Sequence, residues 1–232
     1  MHKLQAIISV AMPEEAQPYL EAQPFREIEG MGQARFYLLE REAGDLLLIQ
    51  SGIGLVAASS ALAAALTRFS TPTVISGGTA GGLGRTVEVG DICISTQLAY
   101  TDVDATAFGY VRGQNPGQPE RFHTPEALTQ AARAAAESVR LEGQQIHVSE
   151  MLAGNSFVTA HNVKDTREAF PEAISTDMES VALAQVCHAY GLDFISVRGV
   201  SDLCGPEAGQ DFHMDCGLAA TRSTNVILAW YS

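Results

Sequence analysis

Hydrophobic and polar positions along the chain predict short strands that alternate with helices. Apolar runs rich in β-branched residues are followed by longer segments of helix-forming residues, and this order repeats along the chain. The predicted strands are residues 5–10, 36–41, 46–50, 73–76, 91–97, 146–152 and 193–200. The predicted helices are one that starts at residue 13 and residues 55–69, 125–141, 163–170, 180–190 and 217–230. This alternation indicates βαβ units and a largely parallel or mixed sheet covered on both faces.

Residues at the ends of the predicted helices support these assignments. Pro13 is tolerated in a first helical turn, and the acidic Glu14 and Glu15 suit a helix N-terminus. Thr124 is the expected N-cap of the helix that follows it. Gly191 is expected to end the helix that precedes it.

The composition adds a large core and a single domain to this picture. Of the 232 residues, 46% are hydrophobic and 18% are charged. Disordered chains are poor in apolar residues, so disorder is excluded as the main state. Because neither an internal repeat nor a linker-like segment interrupts the sequence, residues 1–232 are predicted to form one domain.

The charge balance argues against two classes of partner. The formal net charge is −13 and the isoelectric point is near 4.8, whereas nucleic acids and anionic membranes favour positive proteins. The longest run of small apolar residues, 55–66, is too short to span a bilayer. The four cysteines are widely spaced, which is typical of neither a zinc ribbon nor a disulfide scaffold. We therefore expect a cytoplasmic protein that binds neither nucleic acid nor membrane.

Polar residues near the ends of predicted strands are candidates for a ligand site. Ligands of open α/β sheets bind at the carboxyl ends of the strands. Arg198 interrupts an apolar run there, and Asp202 follows it closely. A buried arginine needs an anionic or polar partner, so a purely structural pair explains these residues equally well. Glu15 and Glu179 lie at the starts of predicted helices, where carboxylates also complement the helix dipole without any further role.

Other chemical motifs are weak in this sequence. The glycine-rich segment 77–82 follows a predicted strand and suits tight turning close to a ligand, but it has neither a Walker lysine nor dinucleotide-binding spacing. The six histidines show no metal-ligand spacing. The sequence has no G-x-S-x-G elbow. It therefore favours neither a metal site nor a serine hydrolase.

Eight short segments, taken together in their order and spacing, are more specific than any one of them. They are AMPEE at 11–15, SGIG at 51–54, TAGGL at 79–83, VGDI at 89–92, DVDATAFGY at 102–110, GNSFV at 154–158, DMESVA at 177–182 and VRGVSD at 197–202. The chain that carries them resembles the purine nucleoside phosphorylase superfamily, most closely its 5′-methylthioadenosine/S-adenosylhomocysteine nucleosidase branch. The segment at 102–110 is the most typical of this branch.

The resemblance implies a fold, an activity and partners. The fold is a single-domain three-layer α/β/α sandwich with a central twisted mixed β-sheet, which is nucleoside phosphorylase-like. Members of this branch are usually homodimers that hydrolyse the N-glycosidic bond of 5′-methylthioadenosine and S-adenosylhomocysteine, giving adenine and a 5-thioribose product. 5′-Deoxyadenosine is a further candidate substrate. No metal and no organic cofactor is implied, and the expected role is methionine and purine salvage.

The resemblance also implies roles for the catalytic residues. Asp202 would donate a proton to adenine N7, with Ser201 orienting it, which requires a raised pKa or a shared proton. Glu15 would be the general base that activates the attacking water. Arg198 and Thr79 would help to position that water.

The ribose site is implied in the same way, with some departures from the common pattern. Glu179 and the Met178 backbone would hold the ribose hydroxyls, and Glu179 would place negative charge near the oxocarbenium-like ribose. Asp177, which is also assigned to this site, replaces a glutamate, and Asn155 replaces an aspartate. We therefore expect ribose positioning and substrate range to differ from those of family members with the common pattern. Three further departures occur at positions that usually carry a small or hydroxyl-bearing residue, and they remove no catalytic group. They are Thr79, Ser180 and Gly199.

The base and the 5′ substituent are assigned to apolar residues. Phe157 would stack on adenine, while the Val158 backbone would read its edge. Ile53 and Phe212 would line the slot for the alkylthio group, because its sulfur is soft and poorly hydrated.

Three alternatives stay open from the sequence. A purine nucleoside phosphorylase would use phosphate, but its relatives typically offer an arginine where this chain has Glu14 and Glu15, which would repel phosphate. A futalosine or aminodeoxyfutalosine nucleosidase would share the acid–base groups and accept a larger 5′ group near Ile53 and Phe212. A non-catalytic nucleoside-binding protein is the third, and the intact carboxylates argue against it.

Overall fold

Strands and helices alternate along the computed structural model, which describes residues 1–205 and 208–232 and only the backbone of residues 208–215. The strands are β1 His2–Lys3, β2 Ala6–Val10, β3 Arg26–Met31, β4 Ala34–Leu39, β5 Leu46–Gln50, β6 Phe69–Ser70, β7 Thr73–Ser76, β8 Thr79–Gly82, β9 Ile92–Tyr100, β10 Phe122–His123, β11 Ile146–Ala153, β12 Ala173–Asp177 and β13 Asp193–Asp202. The helices are α1 Pro13–Ala22, α2 Leu55–Ala65, α3 Glu126–Ser138, α4 Val163–Ala169, α5 Ser180–Tyr190 and α6 Ala208–Trp230, and Thr106–Phe108 forms a 3₁₀ turn.

The described strands form one mixed sheet and a small separate pair. The eleven strands of the sheet follow the order β10-β9-β11-β12-β8-β13-β7-β2-β5-β4-β3, and β1 pairs with β6. Strand β9 pairs in parallel with β11 and also antiparallel with β13. Strands β8, β13, β9, β11 and β12 therefore close into a ring within the sheet. This ring places the residues of β8, β12 and β13 beside one another.

Helices cover both faces of the sheet. Ile7 and Phe194 face an apolar core that they share with α2 and α5. Their neighbours Ile8 and Ile195 face the opposite core, which includes residues of α1, α3 and α6. Successive residues of a strand point to opposite faces, so both faces are apolar, as expected for a sheet between two helical layers. The three-layer α/β/α sandwich predicted from the sequence is thus confirmed.

Gly199 allows α6 to lie unusually close to β13. A Cβ atom at this position would lie 2.1 Å from the carbonyl oxygen of Ala219 in α6. An alanine could be accommodated only if the helix moved away from the strand. This close packing is therefore a physical reason for a glycine at position 199, which is one of the departures from the common pattern.

Several predicted element ends are confirmed and others are wrong. The bounds of β7 and α5 match the prediction, and Gly191 ends α5 in the left-handed conformation with φ 67°. Helix α2 ends earlier than predicted because Phe69 pairs with His2 in the separate two-stranded sheet. Thr124 does not cap α3: its hydroxyl lies 2.9 Å from that of Ser95, and Pro125 is the N-cap.

Three strands at the centre of the molecule differ from the predictions. The glycine-rich segment expected to form a turn contains strand β8, whose residues pair with β12 and β13. Strand β12 itself was not predicted. Strand β13 extends beyond its predicted end to Asp202, so Ser201 and Asp202 are held by the sheet.

Among the helices of the described residues, none is both long and apolar enough to cross a bilayer.

Candidate active site

One cavity brings together the predicted site residues whose side chains are described. Its volume is about 140 Å³, and it is lined by residues of α1, β8, β12 and β13 and of the turns after β2, β5, β11, β12 and β13. The predicted residues that line it are Glu15, Ile53, Thr79, Phe157, Val158, Asp177, Met178, Glu179, Arg198, Ser201 and Asp202. The predicted Phe212 has a side chain that lies outside the described residues.

Glu15, in the first turn of α1, has a carboxylate that is surrounded by donors. Its side chain is buried, and the backbone N–H groups of Ala11 and Met12 donate to Oε2 at 2.8 and 3.2 Å. The backbone N–H and the hydroxyl of Thr79 donate to Oε1 at 2.8 and 3.0 Å. Four hydrogen bonds compensate the burial of the charge and fix the direction of both oxygens.

Gly78 makes room for this carboxylate. Its φ of +109° lies in the region that favours glycine, and a Cβ atom there would be 2.4 Å from Glu15 Oε1. The glycine-rich segment thus allows the backbone to lie close to the Glu15 side chain. It lets β8 begin directly beside Glu15.

Arg198 is completely enclosed and faces two carboxylates. Its Nη1 donates to the Thr79 carbonyl at 2.9 Å and to Glu179 Oε2 at 3.3 Å, and Nη2 donates to Ser76 Oγ at 2.6 Å. Asp177 Oδ1 lies 3.4 Å from Nη2. Burial alone would lower the pKa of Arg198, but the nearby carboxylates raise it overall. The guanidinium therefore stays charged and ties β13, β8 and the start of α5 together.

Glu179 is a buried acidic group whose protonation is shifted by its surroundings. The Gly54 N–H donates to its Oε1 at 3.0 Å, while Oε2 faces Arg198. Burial raises the pKa of Glu179 to about 7, opposed by Arg198 and reinforced by the charges of Asp177 and Glu15. A buried carboxyl group that titrates near neutrality is typical of functional sites.

Asp177 points its carboxylate at the beginning of α5. Oδ1 accepts the backbone N–H groups of Glu179 and Ser180 at 2.8 and 2.7 Å, and Oδ2 accepts the Ser180 hydroxyl at 2.6 Å. With the Arg198 ion pair, these contacts place Asp177 among protein groups at the edge of the cavity.

Asp202 ends β13 and is also buried. Its Oδ2 accepts the Ser201 hydroxyl at 3.0 Å, and its Oδ1 accepts the Cys204 backbone N–H at 2.9 Å. Cys204 has φ 56°, a left-handed conformation that is uncommon for a residue with a Cβ atom and that occurs at functional sites. Burial, followed by the Asp202 charge, raises the pKa of the Cys204 thiol, which therefore stays protonated.

The apolar side of the cavity is formed by the turns after β5 and β11. Val158 is buried in a small core cluster, whereas Phe157 beside it is 42% exposed and Ile53 is 58% exposed. Asn155 anchors the start of the second turn, since its backbone N–H and side-chain amide donate to Asp102 Oδ2 at 2.9 and 3.2 Å. The cavity is therefore apolar and more exposed at one side and charged and buried at the other.

Some groups of this site were not predicted. Ser76, which contacts Arg198, ends β7 after the apolar Val74 and Ile75 and comes just before two glycines, and that pattern was a usable signal. Cys204 lies two residues after Asp202, so a hydrogen bond from its backbone N–H to the Asp202 carboxylate could have been predicted. The N–H donors of Ala11 and Gly54 carry no side-chain signal at all.

Acid–base chemistry is what this arrangement can perform. Glu15, Glu179 and Asp202 are almost fully buried around one small cavity, with Arg198 compensating part of their charge. Such groups can hold a proton at one position and a negative charge at another. Among the described residues, no group of three or more His, Cys, Asp or Glu could hold a metal ion.

Comparisons with known proteins identify close relatives. The family model of the phosphorylase superfamily matches residues 5–230. The 5′-methylthioadenosine/S-adenosylhomocysteine nucleosidase of Actinobacillus succinogenes is 37% identical over 199 residues, which cover 85% of each chain. The Neisseria meningitidis enzyme of that name, solved in complex with methylthio-immucillin-A, superposes with a TM-score of 0.92 at 33% identity, covering 100% of this chain and 99% of that one. The S-adenosylhomocysteine nucleosidase of Streptococcus pyogenes, in complex with 5-methylthiotubericidin, gives 0.91 at 28% identity, covering 100% and 97%.

Proposed function

The chain belongs to the phosphorylase superfamily, and on this premise we propose that it is a purine nucleosidase. It hydrolyses the N-glycosidic bond of 5′-methylthioadenosine and S-adenosylhomocysteine, giving adenine and a 5-thioribose product. The names of its relatives and the nucleoside analogues bound to them support this activity. The observation that carries it is the enclosure of Glu15, Glu179 and Asp202 in one cavity with Arg198.

Asp202 is the general acid in this proposal. When the glycosidic bond breaks, its electron pair moves to the purine and leaves positive charge on the ribose. A proton delivered to adenine N7 neutralises the leaving base. Asp202 suits this role because it is buried, while Ser201 and the Cys204 N–H hold its two oxygens in fixed directions.

Glu15 is the general base. It takes a proton from the water whose oxygen bonds to the ribose carbon, so that the hydrolysis is complete with one water consumed. Thr79, which contacts one of its oxygens, orients both the carboxylate and that water, with help from Arg198. The same carboxylates disfavour phosphate as the nucleophile, because an anion would enter a cavity that already contains negative charge. This favours hydrolysis over phosphorolysis.

Glu179 and the Met178 backbone hold the ribose. An ionised Glu179 accepts hydrogen bonds from ribose hydroxyls and places negative charge beside the developing oxocarbenium ion. Its orientation is supported by the Gly54 N–H and Arg198, which occupy one lone-pair region of each oxygen. Asp177 contributes to the ribose site indirectly, through its hydrogen bonds to the backbone N–H groups of Glu179 and Ser180 and its ion pair with Arg198.

The base and the thioether occupy the apolar side of the cavity. Phe157 stacks on adenine, and the backbone of the buried Val158 reads the edge of the base. Ile53 lines the slot for the alkylthio group, together with Phe212 in the proposal. The exposure of Ile53 supports a slot that is open to long 5′ substituents.

We further propose a cytoplasmic homodimer. Val56 of α2 is 78% exposed and Tyr190 of α5 is 59% exposed, and a groove of about 370 Å³ lies between these helices. A contiguous apolar surface of this kind favours association, here with a second copy. Four free, buried cysteines suit a reducing compartment. Analytical ultracentrifugation of the protein and of Val56→Asp tests the dimer, which the aspartate should dissociate.

Adenine release from 5′-methylthioadenosine is the test of the proposed reaction. The assay is run in phosphate-free buffer and repeated with added phosphate. Release that is independent of phosphate is expected. Release only with phosphate would establish a phosphorylase, and no release in either buffer would exclude this substrate.

A further inference from the structure

Ser180, the first residue of α5, makes a short buried hydrogen bond to Asp177. The Ser180 hydroxyl donates to Asp177 Oδ2 at 2.6 Å, and the two residues are 0% and 7% exposed. A hydrogen bond from a hydroxyl to a carboxylate is stronger than one between neutral groups, and burial strengthens it further. Ser180 does not line the cavity, so any effect on the reaction must pass through another residue.

The other oxygen of Asp177 accepts two successive backbone N–H groups at the start of α5. Oδ1 accepts the N–H of Glu179 at 2.8 Å and that of Ser180 at 2.7 Å. The first N–H groups of a helix have no partner within the helix, and a carboxylate there also meets the positive end of the helix dipole. Asp177 therefore fixes the backbone from which the Glu179 side chain extends.

Arg198 connects the same carboxylate to the Glu179 side chain. It lies 3.4 Å from Asp177 Oδ1 and 3.3 Å from Glu179 Oε2. All three charged groups are almost fully buried, so a rotation of Asp177 would not be compensated by solvent. Removing the donor on Oδ2 would leave that oxygen without its short hydrogen bond and allow Asp177 to turn away from Arg198 and the Glu179 N–H.

We propose that Ser180 is a positioning residue for the ribose site: by holding Asp177, it sets the direction in which Glu179 meets the ribose hydroxyls. This rests on the proposed function, in which Glu179 binds the ribose. A serine that merely stabilised α5 would affect folding and would lower the activity on every nucleoside equally. A positioning serine affects the nucleosides that carry the hydroxyl bound by Glu179 more than those that lack it.

Ser180→Ala, measured with matched substrates, separates these two roles. The substrates are 5′-methylthioadenosine and its 2′-deoxy and 3′-deoxy analogues, and the readout is kcat/KM for adenine release. Where cleavage of an analogue is too slow, its inhibition constant against the parent substrate replaces kcat/KM. The ratio of kcat/KM between two substrates does not depend on the fraction of folded enzyme, so it stays valid if the variant is less stable. Where an inhibition constant is used instead, kcat/KM for the parent substrate is expressed per folded enzyme.

We expect Ser180→Ala to lower kcat/KM for 5′-methylthioadenosine about fivefold to tenfold, at or below the effect of losing one hydrogen bond to a charged group. With the deoxy analogue that lacks the hydroxyl bound by Glu179, the loss should be below about twofold on the same basis. Ser138→Ala is the control, because its hydroxyl bonds within α3 to Ala135 and Ser138 does not line the cavity. This control should leave the ratios of kcat/KM between the three substrates unchanged.

Two results would overturn the proposal. One is an equal loss on the parent nucleoside and on both deoxy analogues, which would make Ser180 purely structural. The other is unchanged activity of Ser180→Ala on all three. Failure of the proposed function is a different outcome, since the unaltered protein would then release no adenine from 5′-methylthioadenosine.

Discussion

Thr79 directs both its backbone N–H and its hydroxyl to a single oxygen of Glu15, at 2.8 and 3.0 Å. The two residues belong to β8 and α1, so the contact joins the central ring of strands to the first helix. Because the Ala11 and Met12 N–H groups occupy the other oxygen, the carboxylate has little freedom to rotate. A general base held in this way is preorganised for a water at one position.

Glu15→Gln should abolish most of the hydrolysis while leaving adenine binding intact. The amide cannot take up a proton, and its NH₂ group would face N–H donors in place of an acceptor. We expect kcat to fall by about 10²- to 10⁴-fold, the usual contribution of a general base. The neighbouring Glu14 is exposed, so Glu14→Gln is a matched control that should retain activity. Unchanged hydrolysis by Glu15→Gln would assign the water to another residue.

Asp202→Asn should remove the proton donor to the purine. The side-chain oxygen can still accept one hydrogen bond, so the nucleoside should bind, whereas kcat should fall by about 10²- to 10⁴-fold. Calorimetric binding of 5′-methylthioadenosine, together with adenine release, separates the two effects. Asp193→Asn, at the exposed start of the same strand, is the control. A variant that turns over at the normal rate would rule out Asp202 as the acid.

The charged half of this site was largely predictable from the sequence. Arg198 and Asp202 stand out because they lie at an apolar run near the end of a predicted strand, and Glu15 stands out at the start of a predicted helix. Each of them lines the cavity. The resemblance to a known family then supplied roles that the pattern alone left open. What sequence reasoning could not supply was the set of backbone donors, such as the Gly54 N–H on Glu179, since a backbone group has no residue signature.

The failure to predict strands β8 and β12 has a common physical origin. Glycines disfavour strands, so the segment that contains β8 was interpreted as a turn. Tertiary packing overrides that preference, because a Cβ atom at Gly81 would lie 2.5 Å from Cys204 Sγ and one at Gly82 would lie 2.9 Å from Val87. Strand β12 lacks a strong apolar pattern, since it carries Ser175 and Thr176, yet the ring buries it between β11 and β8.

Activity should depend on the ionisation of Glu179. With a pKa raised to about 7 by burial, the group is mostly a neutral acid below that pH and accepts ribose hydroxyls less well. The quantity kcat/KM reports ionisation in the free enzyme, so it should fall as the pH decreases through about 7. A profile that stays flat from pH 8 to pH 5 would contradict this.

The same pKa gives a stability prediction of opposite sign. Because the folded protein holds the Glu179 proton more tightly than the unfolded chain, the contribution of this group is greatest at low pH. It is lost as the pH rises from the unfolded value towards about 7. The free energy of unfolding of the protein relative to Glu179→Gln, measured by urea denaturation, should therefore decrease over this range. An increase would mean that the folded state lowers the pKa.

Gly78→Ala tests the close approach on which the Glu15 site depends. The added Cβ atom would lie 2.4 Å from Glu15 Oε1, and the residue would also have to keep φ at +109°. Gly117 has a φ of +78°, and a Cβ atom there would meet nothing within 4 Å, so Gly117→Ala carries the backbone strain without the collision. Both variants should lose about 1 kcal/mol or more of stability, as measured by thermal unfolding.

Only Gly78→Ala should also lose kcat, by about a hundredfold, because a shift of the base by about 1 Å is sufficient for such a loss. Adenine release measured below the melting temperature of both variants distinguishes the two effects. Equal activity of the two alanine variants would mean that the Glu15 carboxylate can move without consequence. In that case the water would have to be activated by a group whose position does not depend on Gly78.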